Sequence, residues 1–344
     1  MPDISLTDVA DIVQTTLKSL DKGKWTDLTG DIQKYHAMTN LLKGSRVKTD
    51  DGESIRVNIM TDDNGQFRWA SPYAVDSYAF NDVMANGSAP WRTATFNYTF
   101  NRVEVAINAS SEKKIVDLVK TRRAAAFIAA AKGLEDAFWG KPATSSDVTT
   151  MWGIDMYIVR NASEGFNGGN PSGFTTGAIF DSSTQTRWKN YTAQYTNVSK
   201  TDLLDKMSTA VDKTEFESPI SMSEIRSKEV DRALYTNYDV FKEVKRQAQL
   251  QNDNLGSDLD KYAGNTFFRK LPFMWVPQLD SDSQDPVYGV DWSTFCPVFL
   301  EGENFKESKP EKHPHVHRAV KVDVDLTLNM VCYDHRRQFI INKA

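Results

Sequence analysis

The chain has 344 residues, of which 40% are hydrophobic, 11% aromatic and 25% charged, a composition that builds buried cores and excludes disorder over most of its length. Lysine and arginine number 41 against 46 acidic residues, a net charge of −5, which offers no global attraction for a phosphate backbone and excludes a sequence-reading nucleic-acid binder. No stretch reaches the ~18 uninterrupted apolar residues of a membrane helix, so no membrane partner is expected.

At roughly 150 residues per domain, the length predicts about two domains. The start, Met1-Pro2-Asp3-Ile4-Ser5, lacks the basic and apolar regions of a signal peptide, which predicts a protein made and kept in the cytoplasm. Cys296 and Cys332 are expected as buried thiols, because a disulfide framework needs more cysteines in a shorter, secreted chain.

Along the chain, Ser5-Leu6-Thr7-Asp8 opens like a capping box, and Leu6, Val9, Val13, Leu17 and Leu20 follow at helical spacing. A second apolar stretch runs through Tyr35, Met38, Leu41 and Leu42 to Gly44, and these 44 residues look like an arm that needs partners. From Ser54 the period becomes two: Ile55, Val57 and Ile59 alternate with Arg56, Asn58 and Met60. Asp62-Asp63-Asn64-Gly65 then reads as a turn, and Phe67 to Trp69 as the returning strand of a hairpin. Such a ribbon has few apolar residues for its length and is expected to lie against something else. The aromatics Trp69, Tyr73, Tyr78, Phe80 and Trp91 are either core or anchors of a subunit interface.

Ala94, Phe96, Tyr98 and Phe100 share one face of a long strand. The phase slips at Asn101-Arg102, and Val103, Val105 and Ile107 continue it as after a bulge. The strongest local signal follows: from about Ser110 to Trp139 there is no proline, Gly133 is the only glycine, and alanine is abundant, which predicts one long helix. Its Lys113, Lys114, Lys120, Arg122 and Arg123 outnumber its nearby acids. They read as a water-facing surface, with weak contact to a polyanion as the alternative.

Residues 140 to about 200 read as loops with short strands. Helices are predicted at Asp202–Val211 and Tyr238–Leu250, and strands at Pro219–Met222, Leu271–Pro277 and within Pro286–Leu300. A last, unusually long strand is predicted from Val316 to Cys332, where Val320, Val322, Val324, Leu326, Leu328 and Met330 alternate with polar residues. After a turn at Asp334-His335-Arg336-Arg337, Phe339 to Ile341 finish the fold, which is therefore α+β.

Enzyme signatures are absent: the sequence has no phosphate-binding glycine loop, no Gly-x-Ser-x-Gly, no His-Glu-x-x-His and no Cys-x-x-Cys. His313, His315 and His317 alternate on an extended segment and could share a metal, although no carboxylate motif completes such a site and a polar lead-in to a strand is the plainer reading. The pairs Asp62-Asp63 and Asp323/Asp325 read as turn and strand surface.

The order of these parts resembles the major capsid protein of tailed bacteriophages, with its Hong Kong 97-type fold. The resemblance is carried by Trp91-Arg92-Thr93-Ala94-Thr95-Phe96-Asn97-Tyr98-Thr99-Phe100 through Glu104 and by Lys114-Ile115-Val116-Asp117-Leu118-Val119-Lys120-Thr121-Arg122-Arg123. Leu271-Pro272-Phe273 to Val276-Pro277 and the closing Asp334 to Ala344 complete it. It implies an N-terminal arm over 1–44, an extended loop over 45–75, and a peripheral domain over 76–140 with a spine helix at 110–139. An axial domain over 141–285 and late strands over 286–344 returning to both sheets would follow. Ile55, Val57, Ile59, Phe67 and Trp69 would then contact a neighbouring subunit, and Lys113, Lys114, Lys120, Arg122 and Arg123 would make weak contacts with packaged double-stranded DNA. The resemblance implies no catalysis and no cofactor. It implies pentamers and hexamers of one chain in an icosahedral shell, located in the virion and assembled in the host cytoplasm, with a portal, a separate scaffold and decoration proteins as partners. An encapsulin-like compartment shell and a metal-dependent hydrolase using His313, His315, His317 and His335 are the rival readings.

Overall fold

The computed structural model describes residues 35–42, 47–62, 65, 67–71, 75, 83–101, 103–104, 112–216, 230–250 and 266–344. The helix expected from Ser5 to Leu20, the strand expected at Pro219–Met222, and Tyr73, Tyr78, Phe80, Val105 and Ile107 lie outside them.

The long alternation near the end of the chain becomes β14 (Ala319–Cys332), the strand around which a six-stranded sheet is built. Along one edge it pairs antiparallel with β4 (Arg92–Asn101), from Leu328 opposite Arg92 to Ala319 opposite Asn101. Its other edge takes β13 (Glu311–Lys312), β12 (Lys306–Glu307) and β11 (Phe295–Leu300) in succession, and β1 (Lys48–Asp50) joins β11 in parallel. Val320, Val322 and Val324 are buried while Lys321, Asp323 and Asp325 are half-buried, as a strand with one covered face requires. From Leu326 to Cys332 every residue is buried, because a second layer closes over that end.

The predicted long helix is α2 (Glu112–Phe138), 27 residues and so about 40 Å long at 1.5 Å per residue. One part lies on the six-stranded sheet, where Val119 packs with Tyr98, Phe100, Val320, Val322 and Val324 and Phe127 sets its edge on Phe96 at 5.3 Å. Its far end enters the main core: Phe138 stacks on Trp292 at 5.4 Å and Trp139 meets Tyr235 at 5.3 Å. The strand did not continue beyond Asn101 as expected. Val103 and Glu104 are helical, so the break in phase at Asn101 marks an end and not a bulge.

Ahead of this helix in sequence, α1 (His36–Leu41) is held by a side chain of α2. Glu135 is fully buried, and its two oxygens accept the backbone N–H groups of Ala37 (3.0 Å) and Met38 (2.8 Å) as well as Trp139 Nε1 (2.9 Å). The first amides of a helix have no partner within it, and a carboxylate placed there satisfies them and complements the positive end of the helix. Glu135→Ala would strand three buried or half-buried donors, and the expected cost is about 3 kcal/mol, read as a lowered urea midpoint of the purified protein. A midpoint equal to the parent's would mean that Glu135 does not anchor α1.

The second sheet has seven strands in the order β5 (Gly165–Gly168), β6 (Asn190–Tyr195), β15 (Phe339–Lys343), β10 (Val287–Asp291), β7 (Arg232–Thr236), β9 (Leu271–Trp275) and β8 (Thr266–Phe268). Its central strands are buried on both faces and divide their side chains between two cores. Leu234, Val287, Phe339 and Ile341 meet α4 (Leu203–Lys213) and α5 (Tyr238–Leu250), whereas Ala233, Tyr235, Tyr288, Val290 and Ile340 face the main core. The short helix α3 (Ile154–Tyr157) supplies that core with Ile154, Met156 and Tyr157.

The segment Pro286–Leu300, read as holding one strand, is two strands in different sheets. The chain leaves β10 at Asp291, crosses through Trp292–Thr294 and enters β11; it crosses back between β14 and β15 through the 3-10 turn His335–Arg337. The two crossings touch: Tyr333 N–H donates to the Thr294 carbonyl at 3.0 Å, and Gln338 accepts from the Asp291 amide at 2.8 Å and donates to Thr294 Oγ1 at 2.6 Å. Asp291, itself fully buried, pairs with Arg337 at 3.5 Å and Arg232 at 3.9 Å. Cys296 and Cys332 are buried and form no disulfide; Phe295 lies opposite Cys332 and Val331 opposite Cys296, so the two thiols fall on opposite faces of the sheet.

Candidate assembly surface

The ribbon near the start of the chain differs from its expected form. β2 (Ile55–Met60) does not return through Phe67–Trp69. It pairs with β3 (Met84–Ala89), Ile55 opposite Ala89 and Met60 opposite Met84, and residues 61–83 form the connection. Nothing in Met-Ala-Asn-Gly-Ser-Ala reads as a strand. It becomes one because Gly87 fits against the body of the protein, where an added Cβ would lie 2.4 Å from Ile179 and 2.8 Å from Phe180.

This register corrects the assignment of the inter-subunit residues. Ile55 and Val57 are each 1% exposed and belong to the main core, and Ile59 is half-buried against it. Their apolar cover comes from their own chain. The other two are exposed, Phe67 at 85% and Trp69 at 93%, and nearby Val75 at 86% and Met60 at 67% join them. The rings of Phe67 and Trp69 meet edge to face at 5.6 Å, and Arg68 reaches across the loop to donate to the Val75 carbonyl at 2.9 Å. At the loop's root Asp62 pairs with Arg187 at 3.0 Å. Burying a side chain of this kind contributes about 1.5–3 kcal/mol, and among the described residues nothing covers these two adjacent aromatics.

The basic residues of α2 also need correction. Arg122 donates to the Thr99 carbonyl and pairs with Glu104 at 2.6 Å. Arg123 pairs with Glu307 at 2.7 Å and lies over the Phe127 ring. Both tie the helix to the sheet beneath it, and each charge is paired with a carboxylate of its own chain. Lys120 is half-buried, and the side chains of Lys113 and Lys114 lie outside the described residues. A count of charge along one helix could not reveal this, since Glu307 is 184 residues from Arg123.

The histidines do not come together. His315 and His317 are exposed and His313 half-buried at the turn into β14, with the rings of His313 and His315 6.1 Å apart. His335 lies beyond the other end of that 14-residue strand, about 46 Å away at 3.3 Å per residue, and is buried. Among the described residues no three His, Cys, Asp or Glu side chains form a group that could hold a metal, so the hydrolase reading loses its ligand set.

These features define an α+β chain in which two sheets pack on one long helix, with exposed aromatics at Phe67 and Trp69. Solved structures share that fold. The chain is similar to a protein of the cyanophage A-1(L) capsid, with 14% identity and a TM-score of 0.59 over 95% of this chain and 98% of that one. It is similar to a protein of the capsid of Myoviridae phage XM1, with 9% identity and a TM-score of 0.56 over 95% and 98%. It also resembles a protein of the capsid of a native GTA particle, with 12% identity and a TM-score of 0.55 over 94% and 95%. No family model and no curated protein matches the chain. The likeness is one of backbone, over nearly the full length of each partner.

Proposed function

We propose that this protein is the major capsid protein of a tailed bacteriophage, a non-catalytic subunit whose copies form the closed icosahedral shell around double-stranded DNA in the virion. The observation that carries the reading is the aromatic pair Phe67 and Trp69, left exposed among the described residues, in a chain whose fold matches proteins of phage capsids over 95% of its length. Pentamers and hexamers, a portal, a separate scaffold and decoration proteins belong to the same proposal. Contact with DNA is assigned to Lys113, Lys114 and Lys120 and no longer to Arg122 and Arg123. The net charge of −5 keeps such contact weak.

A loop deletion from Gly52 would remove Ile55 and Val57 from the core, so substitution is the cleaner test. Buried aromatic anchors contribute about 2 kcal/mol or more each at an interface, and in a shell the loss recurs at every subunit contact. Phe67→Ser with Trp69→Ser should leave the urea midpoint unchanged and abolish closed particles, as seen by negative-stain electron microscopy of the full chain expressed alone and with its genomic neighbours. Intact shells from the double variant, or a parent chain that stays monomeric in both settings, would overturn the proposal.

A further inference from the structure

The double crossover between the sheets contains one side chain at odds with its surroundings. His335 is 2% exposed in the turn that carries the chain from β14 to β15. Its ring lies 3.9 Å from the Trp188 indole, tilted by 31°, and meets Tyr157 edge to face at 5.5 Å. Both neighbours are fixed, Trp188 by donating Nε1 to the Gly177 carbonyl at 2.8 Å and Tyr157 by donating to the Met330 carbonyl. Among the described residues His335 Nε2 has no hydrogen-bond partner.

The charged groups around this ring are committed elsewhere. Asp334 takes the Arg336 amide at 3.0 Å and pairs with Arg336 and Arg337, and Asp291 pairs with Arg337 and Arg232. On the Trp188 segment Arg187 holds Asp62, Lys189 is half-buried, and the Asn190 side chain is taken by Val159 N–H at 2.9 Å and the Val159 carbonyl at 3.0 Å. On β14 the Cys332 thiol is pushed up by burial and stays protonated, as does the Tyr157 phenol. Burial accordingly holds the imidazole neutral, with its pKa lowered to about 3.

Protonation turns both ring nitrogens into donors, and Nε2 has no acceptor among the described residues. The tilted indole offsets part of the new charge, but a buried donor without an acceptor still favours any conformation that wets the ring. We propose that His335 makes the junction between the two sheets acid-releasable: on protonation the turn 333–338 leaves its seat between Trp188 and Tyr157, and the sheets are freed to reorient while each stays folded. The proposal stands whether or not the chain builds shells. The sign follows from linkage. The open state binds its proton near the ordinary pKa of about 6.5 and the closed state only near 3, so opening gains about fivefold over the first pH unit below 6.5 and about tenfold over the next.

Hydrogen exchange of the full-length protein, read by mass spectrometry and corrected for intrinsic rate, tests this between pH 6.5 and pH 5, where exposed carboxylates remain ionised. Exchange of peptides covering 187–193 and 332–338 should rise about 16-fold across that window, while α2 from 119 to 138 stays unchanged. His335→Phe, which keeps a ring in the stack, should flatten the profile. A junction in the parent protein that shows no pH dependence, or that loosens in step with α2, overturns the proposal whether or not the variant folds. So does a folded His335→Phe protein with the parent's slope.

Discussion

Replacing Asp291 by alanine should cost the subunit about 3–5 kcal/mol and leave little soluble protein. Asp291 is fully buried, and besides its two arginine partners it accepts the amides of Asp231 at 3.2 Å and Ser293 at 3.0 Å and the Ser293 hydroxyl at 2.6 Å. Removing it leaves the Arg232 guanidinium buried without its anion and leaves Arg337 the longer pairing with Asp334 at 3.8 Å. Burial already depresses Arg232 from its ordinary value, a sign that its solvation has been given up. Each arginine keeps backbone acceptors, Val211 and Thr214 for Arg232 and Phe216 for Arg337, but a carbonyl carries no net charge to balance a cation. Total stability of a domain is about 5–15 kcal/mol, so the loss is a large fraction of it. Soluble yield and the urea midpoint measure the effect, with Asp291→Asn expected between parent and alanine. An alanine variant as stable as the parent would show that the network orients the crossing without stabilising it.

Gly153→Ala should destabilise by about 3 kcal/mol, near the upper end for overpacking. A Cβ there would stand 2.2 Å from the Gly140 carbonyl oxygen, 2.4 Å from that of Ala137 and 2.5 Å from that of Phe138. These are backbone atoms at the end of α2, and they cannot give way without unwinding the turn that seats Phe138 and Trp139 in the core. Gly133 is the matched control. It lies on the exposed side of the same helix with nothing within 4 Å of an added Cβ, and Gly133→Ala should stabilise by about 0.5–1 kcal/mol through helix propensity alone. Urea denaturation of the two variants side by side should move the midpoint in opposite directions. Equal shifts would mean that the approach of residue 153 to the helix end is not a structural requirement.

Both variants bear on function as well as stability. α2 touches the six-stranded sheet, the main core and α1, so a change at its end shifts all three, and under the proposed function assembly would suffer with stability. An assembly defect in Gly153→Ala would therefore need to be separated from simple unfolding, whereas Phe67→Ser with Trp69→Ser leaves every one of these contacts in place.

The candidate surface was legible in part. Phe67 and Trp69 stand out in the sequence as aromatics beside a turn, and they are exposed. Ile55 and Val57 carry the same alternating pattern on the preceding strand, yet they are core residues, because the partner strand is 84–89 and its Gly87 lets the ribbon sit down on Ile179 and Phe180. Arg122 and Arg123 look like a free basic stripe until Glu104, Thr99 and Glu307 are brought against them. Glu135 and His335 gave no local signal, since one acts on amides 97 and 98 residues away and the other is defined by what surrounds it.

Local periodicity determined α2, α4, α5 and β14 from the residues alone: a period of 3.6 or 2 is a property of neighbours in the chain, and Ala-rich or alternating Val-rich runs satisfy it without help. The tertiary structure alone decided β7, whose Arg-Ala-Leu-Tyr-Thr shows no alternation because both of its faces are covered, and the division of residues 286–300 between two sheets. It also decided which apolar and charged side chains are spent inside the chain and which stay exposed. That choice depends on pairings between segments far apart in sequence, and burial at one end of such a pair is invisible from the other.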